Sequence, residues 1–137
     1  MKQGRKAQFK AAKAYFAQLR PLLLLDHYRL DFSRKLPDDP ECAAHISVME
    51  TRNVATIRLG EGYYDATPRQ RRHYATHELL HIHLARHDYA VADFKRVIDD
   101  ASWNMIYTNI ARHLELTIDG LTDVLAPFLP LPTEETP

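Results

Sequence analysis

The segment from Thr67 to Ala85 constrains the fold most, because it contains a complete helix-start signal followed by a regular helical face. Thr67 can cap a helix, Pro68 has its φ preset for the first helical position, and Gln70 can reach back to complete a capping box. We therefore predict a helix that begins at Pro68 and runs to about Ala85.

The residues before this helix predict one further helix and a small sheet. A basic segment, Met1 to Arg20, has an amphipathic pattern whose apolar side is Phe9, Ala12, Phe16 and Leu19. Three strands are expected after it: His27 to Ser33, Ala44 to Met49 and Val54 to Leu59. Thr51 to Asn53 would make the turn of an antiparallel hairpin between the last two strands, and Gly60 to Gly62 would end the sheet.

The residues after the central helix predict a second long helix. Beyond Arg86 the apolar pattern weakens until about Asp99. From there apolar residues recur every three or four positions, as in a core-facing helix: Trp103, Ile106, Ile110, Leu114, Ile118, Leu121 and Leu125. The expected fold is therefore α+β, with the elements in the order helix, three strands, helix, helix.

Length and composition fit one globular domain. The chain has 137 residues, of which 45% are hydrophobic and 26% charged. We place the domain at residues 1–126 and a proline-rich tail at 127–137, with Thr133 to Pro137 disordered. Net charge is zero, so we expect no nucleic-acid or membrane partner, and the basic side of the first helix is interpreted as a solvated face. The run Pro21 to Leu25 is too short for a signal-peptide core or a membrane span, which favours the cytoplasm. Nothing in the pattern indicates an oligomeric state.

The histidines are the unusual part of the composition, since five of the eight lie between His73 and His87. Cys42 is the only cysteine, so a metal would have to use histidine and carboxylate ligands. His77 and His81 lie four residues apart on one helix face, about 5 to 6 Å apart at Cβ, and can bind one metal ion together. The alternative is that they are histidines hydrogen-bonded at the edge of the core.

Glu78 lies next to this pair, in the run HELLH. A glutamate at this position can accept a proton from water at the metal without being a ligand itself, as in metalloproteases. The motif therefore predicts zinc chemistry with Glu78 as general base.

A catalytic zinc site has three protein ligands, so a third ligand is expected. If the two long helices pack side by side, Glu115 can bind the metal, and Asp119, one turn later, can accept a hydrogen bond from a ligating histidine. His87 is the competing candidate, at the spacing His-Glu-x-x-His-x-x-x-x-x-His. Leu84 weakens the assignment of His87, because the chain would have to turn near residue 84 and glycine adopts such a turn far more easily than leucine. We favour Glu115 over His87.

The run His77-Glu-Leu-Leu-His-Ile-His-Leu84, followed by His113-Leu-Glu115-Leu-Thr-Ile-Asp119-Gly-Leu121, resembles the small gluzincin-type metallopeptidases often encoded by bacteriophages and their hosts. This resemblance covers the second half of the chain. It implies a zincin-like fold, Zn²⁺ held by His77, His81 and Glu115, and Glu78 as the base. It also implies a protein or peptide substrate and a place in the cytoplasm of a bacterium or of a phage-infected host.

Two other function classes remain open. One is a SprT-like or WLM-like protease that acts on DNA-bound proteins, with His87 as third ligand. The basic first helix also favours this function. The other is a non-catalytic phage or host interaction protein in which zinc is only a structural clamp.

Overall fold

The computed structural model describes residues 4–133, which form an α+β fold of helices packed on a small mixed sheet. The helices are α1 (Arg5–Leu22), α2 (Glu61–Asp65), α3 (Pro68–Asp93) and α4 (Asp100–Leu125), and the strands are β1 (Arg29–Ser33), β2 (Ala44–Met49) and β3 (Val54–Leu59). The predicted α+β class is confirmed. Residues 134–137, where disorder was predicted, and residues 1–3, at the start of the predicted basic segment, lie outside the described part.

The sheet has the strand order β1-β3-β2. The predicted hairpin is confirmed, with β2 antiparallel to β3 and Ala44 opposite Leu59, while β1 runs parallel to β3. The hairpin turn is a single 3-10 turn ended by Asn53, whose φ of 50° lies in the left-handed region that asparagine tolerates. In this order β2 is an edge strand. β1 begins at Arg29, two residues later than the start predicted at His27.

The core lies between α1, α3 and one face of the sheet. The apolar side predicted for α1 is confirmed, since Phe16 and Leu19 are fully buried. Phe16 packs edge-on against Phe32, with ring centroids 5.5 Å apart. From the sheet and α3 the core takes Ala44, Ile46, Ala55, Ile57, Leu59, Ala75, Leu79 and Ile82. The short helix α2, which the sequence did not predict, adds Tyr63 and Tyr64.

The helix α3 starts where predicted. The Thr67 hydroxyl accepts a hydrogen bond from the Gln70 N–H at 3.3 Å, and the Gln70 side chain accepts one from the Thr67 N–H at 2.9 Å. The predicted end near Ala85 is wrong, because α3 continues to Asp93. Nearly all residues from 86 to 93 are exposed, so the helix there has no buried side to produce an apolar period.

The helix α4 is also confirmed, and Asp99 caps it by accepting a hydrogen bond from the Ser102 N–H at 2.9 Å. The prediction that its whole apolar stripe faces the core is wrong. Within the stripe only Trp103 and Ile118 are buried, whereas Ile106 and Leu121 are 41% and 42% exposed. The reason is the orientation of α4 about its axis. Its contact with α3 is made by a neighbouring face, which includes Glu115 and Thr122, and not by the whole apolar stripe.

The residues that follow α4 lie against the rest of the fold. Ala126–Phe128 forms a 3-10 turn. The Arg72 guanidinium donates to the Leu129 carbonyl at 3.1 Å, and the Tyr15 hydroxyl donates to the Pro130 carbonyl at 2.8 Å. These contacts join the end of the described chain to α1 and α3. Every helix within residues 4–133 is too short or too polar to cross a membrane.

Candidate metal centre

Three side chains from α3 and α4 bring their donor atoms together. His77 Nε2 lies 3.3 Å from His81 Nε2 and 3.3 Å from a Glu115 carboxylate oxygen, and His81 Nε2 lies 3.2 Å from the other oxygen of Glu115. Among residues 4–133, this is the one group of three or more His, Cys, Asp and Glu residues whose donor atoms converge enough to hold a metal ion. The structure thus brings together the three residues predicted as ligands.

The spacing of these atoms fits a small tetrahedral ion. Each ligand atom of a zinc site lies about 2.0–2.1 Å from the metal, so neighbouring ligand atoms are about 3.3 Å apart. The two histidine nitrogens, 3.3 Å apart, have this separation, and each lies 3.2 to 3.3 Å from one of the two Glu115 oxygens. Two imidazoles and one carboxylate are also a donor set that suits zinc and leaves a fourth position open. This group could therefore hold a metal ion.

Asp119 orients one of the histidines. Its Oδ1 atom lies 3.0 Å from Nδ1 of His77. A proton on Nδ1 of His77 is donated to this carboxylate, which leaves the lone pair on Nε2 directed toward the other donors. The predicted role of Asp119 as a hydrogen-bond acceptor for a ligating histidine agrees with this geometry.

His81 is held in its neutral form. Burial lowers its pKa to about 4, with further lowering from the neighbouring charges of His77 and His45. A neutral imidazole is the form that can bind a metal. At neutral pH His81 therefore has no proton to lose before it can act as a ligand.

Glu78 is buried beside the three donors, with 9% of its surface exposed. Burial is the main cause that raises its pKa to about 8, and the nearby charge of Glu115 adds to it. A hydrogen bond with the backbone of Ile46 in β2 acts in the opposite direction. At neutral pH the Glu78 carboxyl group is therefore mostly protonated while no cation lies next to it, and a cation bound nearby would favour the carboxylate.

Two small concavities adjoin the centre and share His81 and Asp88. One, of about 210 Å³, lies between α3 and α4 and is also lined by Tyr107 and Glu115. The other, of about 180 Å³, lies between α3 and β2. The sequence reasoning missed Asp88, although its position seven residues after His81 would have placed it on the same helix face.

His87, the competing third ligand, is exposed and lies outside the group of converging donors. Tyr107 of α4 lines one of the concavities, whereas Arg112 and His113 are exposed and line neither. The helix α4 therefore supplies Glu115, Asp119 and Tyr107 to this region.

The other histidines are engaged elsewhere. His83 Nε2 lies 2.7 Å from the Leu23 carbonyl oxygen, and His73 Nδ1 lies 3.8 Å from a carboxylate oxygen of Asp123. The ring of His27 packs edge-on against Tyr28. These three histidines lie outside the group of converging donor atoms.

Comparison with known proteins adds no family to this description. No protein-family model, no curated protein and no solved structure matches the chain.

Proposed function

We propose that this protein is a zinc-dependent metallopeptidase of a zincin-like, gluzincin-type kind. The observation that carries the proposal is the convergence of His77, His81 and Glu115 at 3.2 to 3.3 Å, with a buried Glu78 beside them. The three donors come from two helices, and burial of the Glu78 carboxyl group costs free energy.

Some residues of the chain bind the metal ion and another orients a ligand. His77, His81 and Glu115 hold the ion, and Asp119 fixes the imidazole of His77 through the contact of 3.0 Å at Nδ1. When bound, a zinc ion supplies a Lewis acid that polarises a carbonyl group and lowers the pKa of water toward neutrality.

Glu78 handles the proton. Its carboxylate takes the proton of the water that attacks the peptide carbonyl and then returns it to the leaving amine. Glu78 is a buried residue of α3, so its position does not depend on a flexible loop. General acid-base catalysis of this kind contributes about 10² to 10⁴ in rate.

The edge strand β2 supports a peptide as the substrate. Its hairpin partner β3 covers one side only, so the backbone groups on the other side face the region of Glu78 and α3. Tyr89 of α3 already donates a hydrogen bond to the Val48 carbonyl at 3.0 Å. An extended peptide can add to such an edge through main-chain hydrogen bonds.

The metal is tested by measuring zinc in protein purified without chelators. We expect about one zinc per chain in the wild type and in His87→Ala, and a large loss in Glu115→Ala. His87 is a suitable control because it lies on the same helix as the ligands but outside the converging group. Absence of zinc from the wild type would remove the basis of the proposal, and zinc lost from His87→Ala but kept in Glu115→Ala would reverse the ligand assignment.

Catalysis is tested with Glu78→Gln, which keeps the size of the side chain. We expect this variant to retain zinc while kcat/KM for an unfolded protein substrate falls about 10² to 10⁴-fold. Glu41→Gln, at an exposed glutamate, is the matched control and should keep wild-type activity. Equal activity in Glu78→Gln would exclude this residue as the base, and a zinc-loaded wild type with no cleavage of any unfolded substrate would favour the structural clamp.

A further inference from the structure

A second concave region lies between α1 and the end of β1. Its residues come from the first half of the chain, whereas those of the candidate metal centre come from the second half. It consists of two adjoining concavities of about 480 and 600 Å³ that share Lys6, Phe9 and Arg34. None of the residues of the metal centre lines either of them. We call this region the α1 groove.

The α1 groove is strongly basic although the whole chain is neutral. Lys6, Lys10 and Lys13 follow one face of α1 at intervals of four and three residues, and Arg34 lies across from them. All four side chains are exposed, and within residues 4–133 none of them forms an ion pair. The single acidic residue that lines the groove, Glu61, is already paired with Arg5.

The same groove offers aromatic surface. The guanidinium of Arg34 lies 6.0 Å from the centre of the Phe9 ring, and that of Arg5 lies 4.1 Å from the Tyr64 ring. The floor of the smaller concavity also contains Leu36 and Leu59. Cations stacked on aromatic rings, next to apolar walls, can bind a flat ring and an anion together.

These two properties select one class of ligand. A duplex presents phosphates but keeps its bases stacked inside, so it would not use the apolar walls, whereas a single strand presents both. From Lys6 to Lys13 the helix axis rises about 10 Å, so the three lysines can contact successive phosphates of one strand. We propose that the α1 groove binds single-stranded nucleic acid, with phosphates on the three lysines and Arg34 and a base against Phe9.

This inference changes the expectation drawn from composition. A net charge of zero describes the whole chain, but the fold collects on one concave surface four cations that form no ion pair with another residue of 4–133. The proposal does not depend on the metallopeptidase, because the two regions share no residues.

The test uses the full chain and a fluorescein-labelled oligonucleotide of twelve thymidines, with binding followed by anisotropy from 50 to 200 mM KCl. We expect saturable binding with Kd on the order of 10⁻⁵ M at the lowest salt, and a slope of log K against log [salt] of about −2 to −3. Lys10→Gln with Lys13→Gln should weaken binding about tenfold and reduce the slope by about 1.4.

The matched control is Lys95→Gln with Arg96→Gln, which removes the same charge from exposed residues between α3 and α4. This control should bind as the wild type does. Phe9→Leu keeps an apolar side chain against Phe32, and it should weaken binding about fivefold or more without changing the salt slope, because only stacking is lost. Glu115→Ala should bind the oligonucleotide like the wild type, so failure of the metal centre cannot be mistaken for failure of the groove.

Three results would overturn the proposal. The first is no saturable binding at 50 mM KCl. The second is an equal loss in the control with Lys95 and Arg96 changed, which would mean that binding follows net charge. The third is equal binding of the matching duplex together with no effect of Phe9→Leu, which would indicate a surface for polyanions in general.

Discussion

The two halves of the α3 and α4 pair differ in how they are held. In the half near the sheet, residues 75–85 and 115–126, the buried side chains are Ala75, Thr76, Glu78, Leu79, Leu80, Ile82, Ala85, Ile118, Thr122 and Ala126. In the distal half, residues 86–111, Trp103 is the one buried side chain. The distal half also exposes large apolar residues, with Phe94 at 60%, Val97 at 75% and Met105 at 73%.

This difference explains where the candidate metal centre lies. Donor atoms that must stay within 3.2 to 3.3 Å of each other need a backbone fixed by packing. Only the half near the sheet provides it, since each turn of α3 there has a side chain in the core. The distal half is held by its local hydrogen bonds, by its Asp99 cap and, near its start, by the Tyr89 hydrogen bond to Val48 and the Arg86–Glu50 ion pair. It has far less burial to resist opening.

The test with the largest expected change in the free energy of unfolding makes the same substitution at two positions of α4. Ile118 is fully buried and Ile106 is 41% exposed. We expect Ile118→Ala to lower the free energy of unfolding by about 2–5 kcal/mol and Ile106→Ala by less than about 1 kcal/mol. Urea denaturation followed by circular dichroism measures both. Similar losses in the two variants would mean that the distal half is packed against something in solution.

The second test concerns the cost of burying Glu78. In the native state its pKa is raised to about 8, whereas the unfolded chain has the ordinary value of 4.5. Between these values unfolding releases a proton, so the free energy of unfolding of the wild type falls as pH rises. Glu78→Gln has no proton to lose at this position. In EDTA we therefore expect the variant to gain ~2 kcal/mol on the wild type between pH 6 and pH 8.

The control for this test is Asp93→Asn, at an exposed carboxylate in the distal half. Its stability should follow the wild type at every pH. His81, whose pKa is lowered, has the opposite pH dependence, but it is present in both proteins and cancels in the difference. A free energy of unfolding of Glu78→Gln that stays constant or falls relative to that of the wild type between pH 6 and pH 8 would contradict the assigned proton affinity.

The sequence predicted the elements with local signals and failed where the outcome depends on neighbours. The bounds of β2 and β3 and the start of α3 were correct, because alternation and the Thr67 capping box are read from adjacent residues. The end of α3 was wrong because residues 86–93 have no buried side. The stripe on α4 shows that the helix is amphipathic, but not which of its faces meets α3.

The candidate site shows the same division. His77 and His81 follow from helical spacing, and Glu115 with Asp119 follows if the two helices pack side by side, which they do. The backbone of Ile46 was not predicted, since its place next to the centre depends on how α3 lies against β2. The residue pattern of a strand does not predict which side chain will contact the backbone at its edge.

The third test is the hydrogen bond between Asp119 and His77, in the half near the sheet. Asp119→Asn should lower zinc affinity by at least about tenfold, because loss of a carboxylate behind a ligating histidine usually costs 10- to 100-fold. Asp123→Asn, one turn later and 3.8 Å from His73, is the matched control and should keep wild-type affinity. Competition with a chromophoric chelator measures both. Equal affinities for Asp119→Asn and wild type would leave His77 without this orienting partner.

The smallest test compares the two helix caps. Thr67 caps α3 where it joins the core, and Asp99 caps α4 in the distal half. Thr67→Ala should lower the global free energy of unfolding by about 1 kcal/mol. Asp99→Ala removes an equivalent hydrogen bond, but the distal half can open by itself, so the loss should appear as faster amide exchange around residues 95–105 with little change in global stability. If Asp99→Ala lowers global stability as much as Thr67→Ala does, the two halves unfold as one unit. The exposure of Phe94, Val97 and Met105 would then give no measure of how firmly the distal half is held.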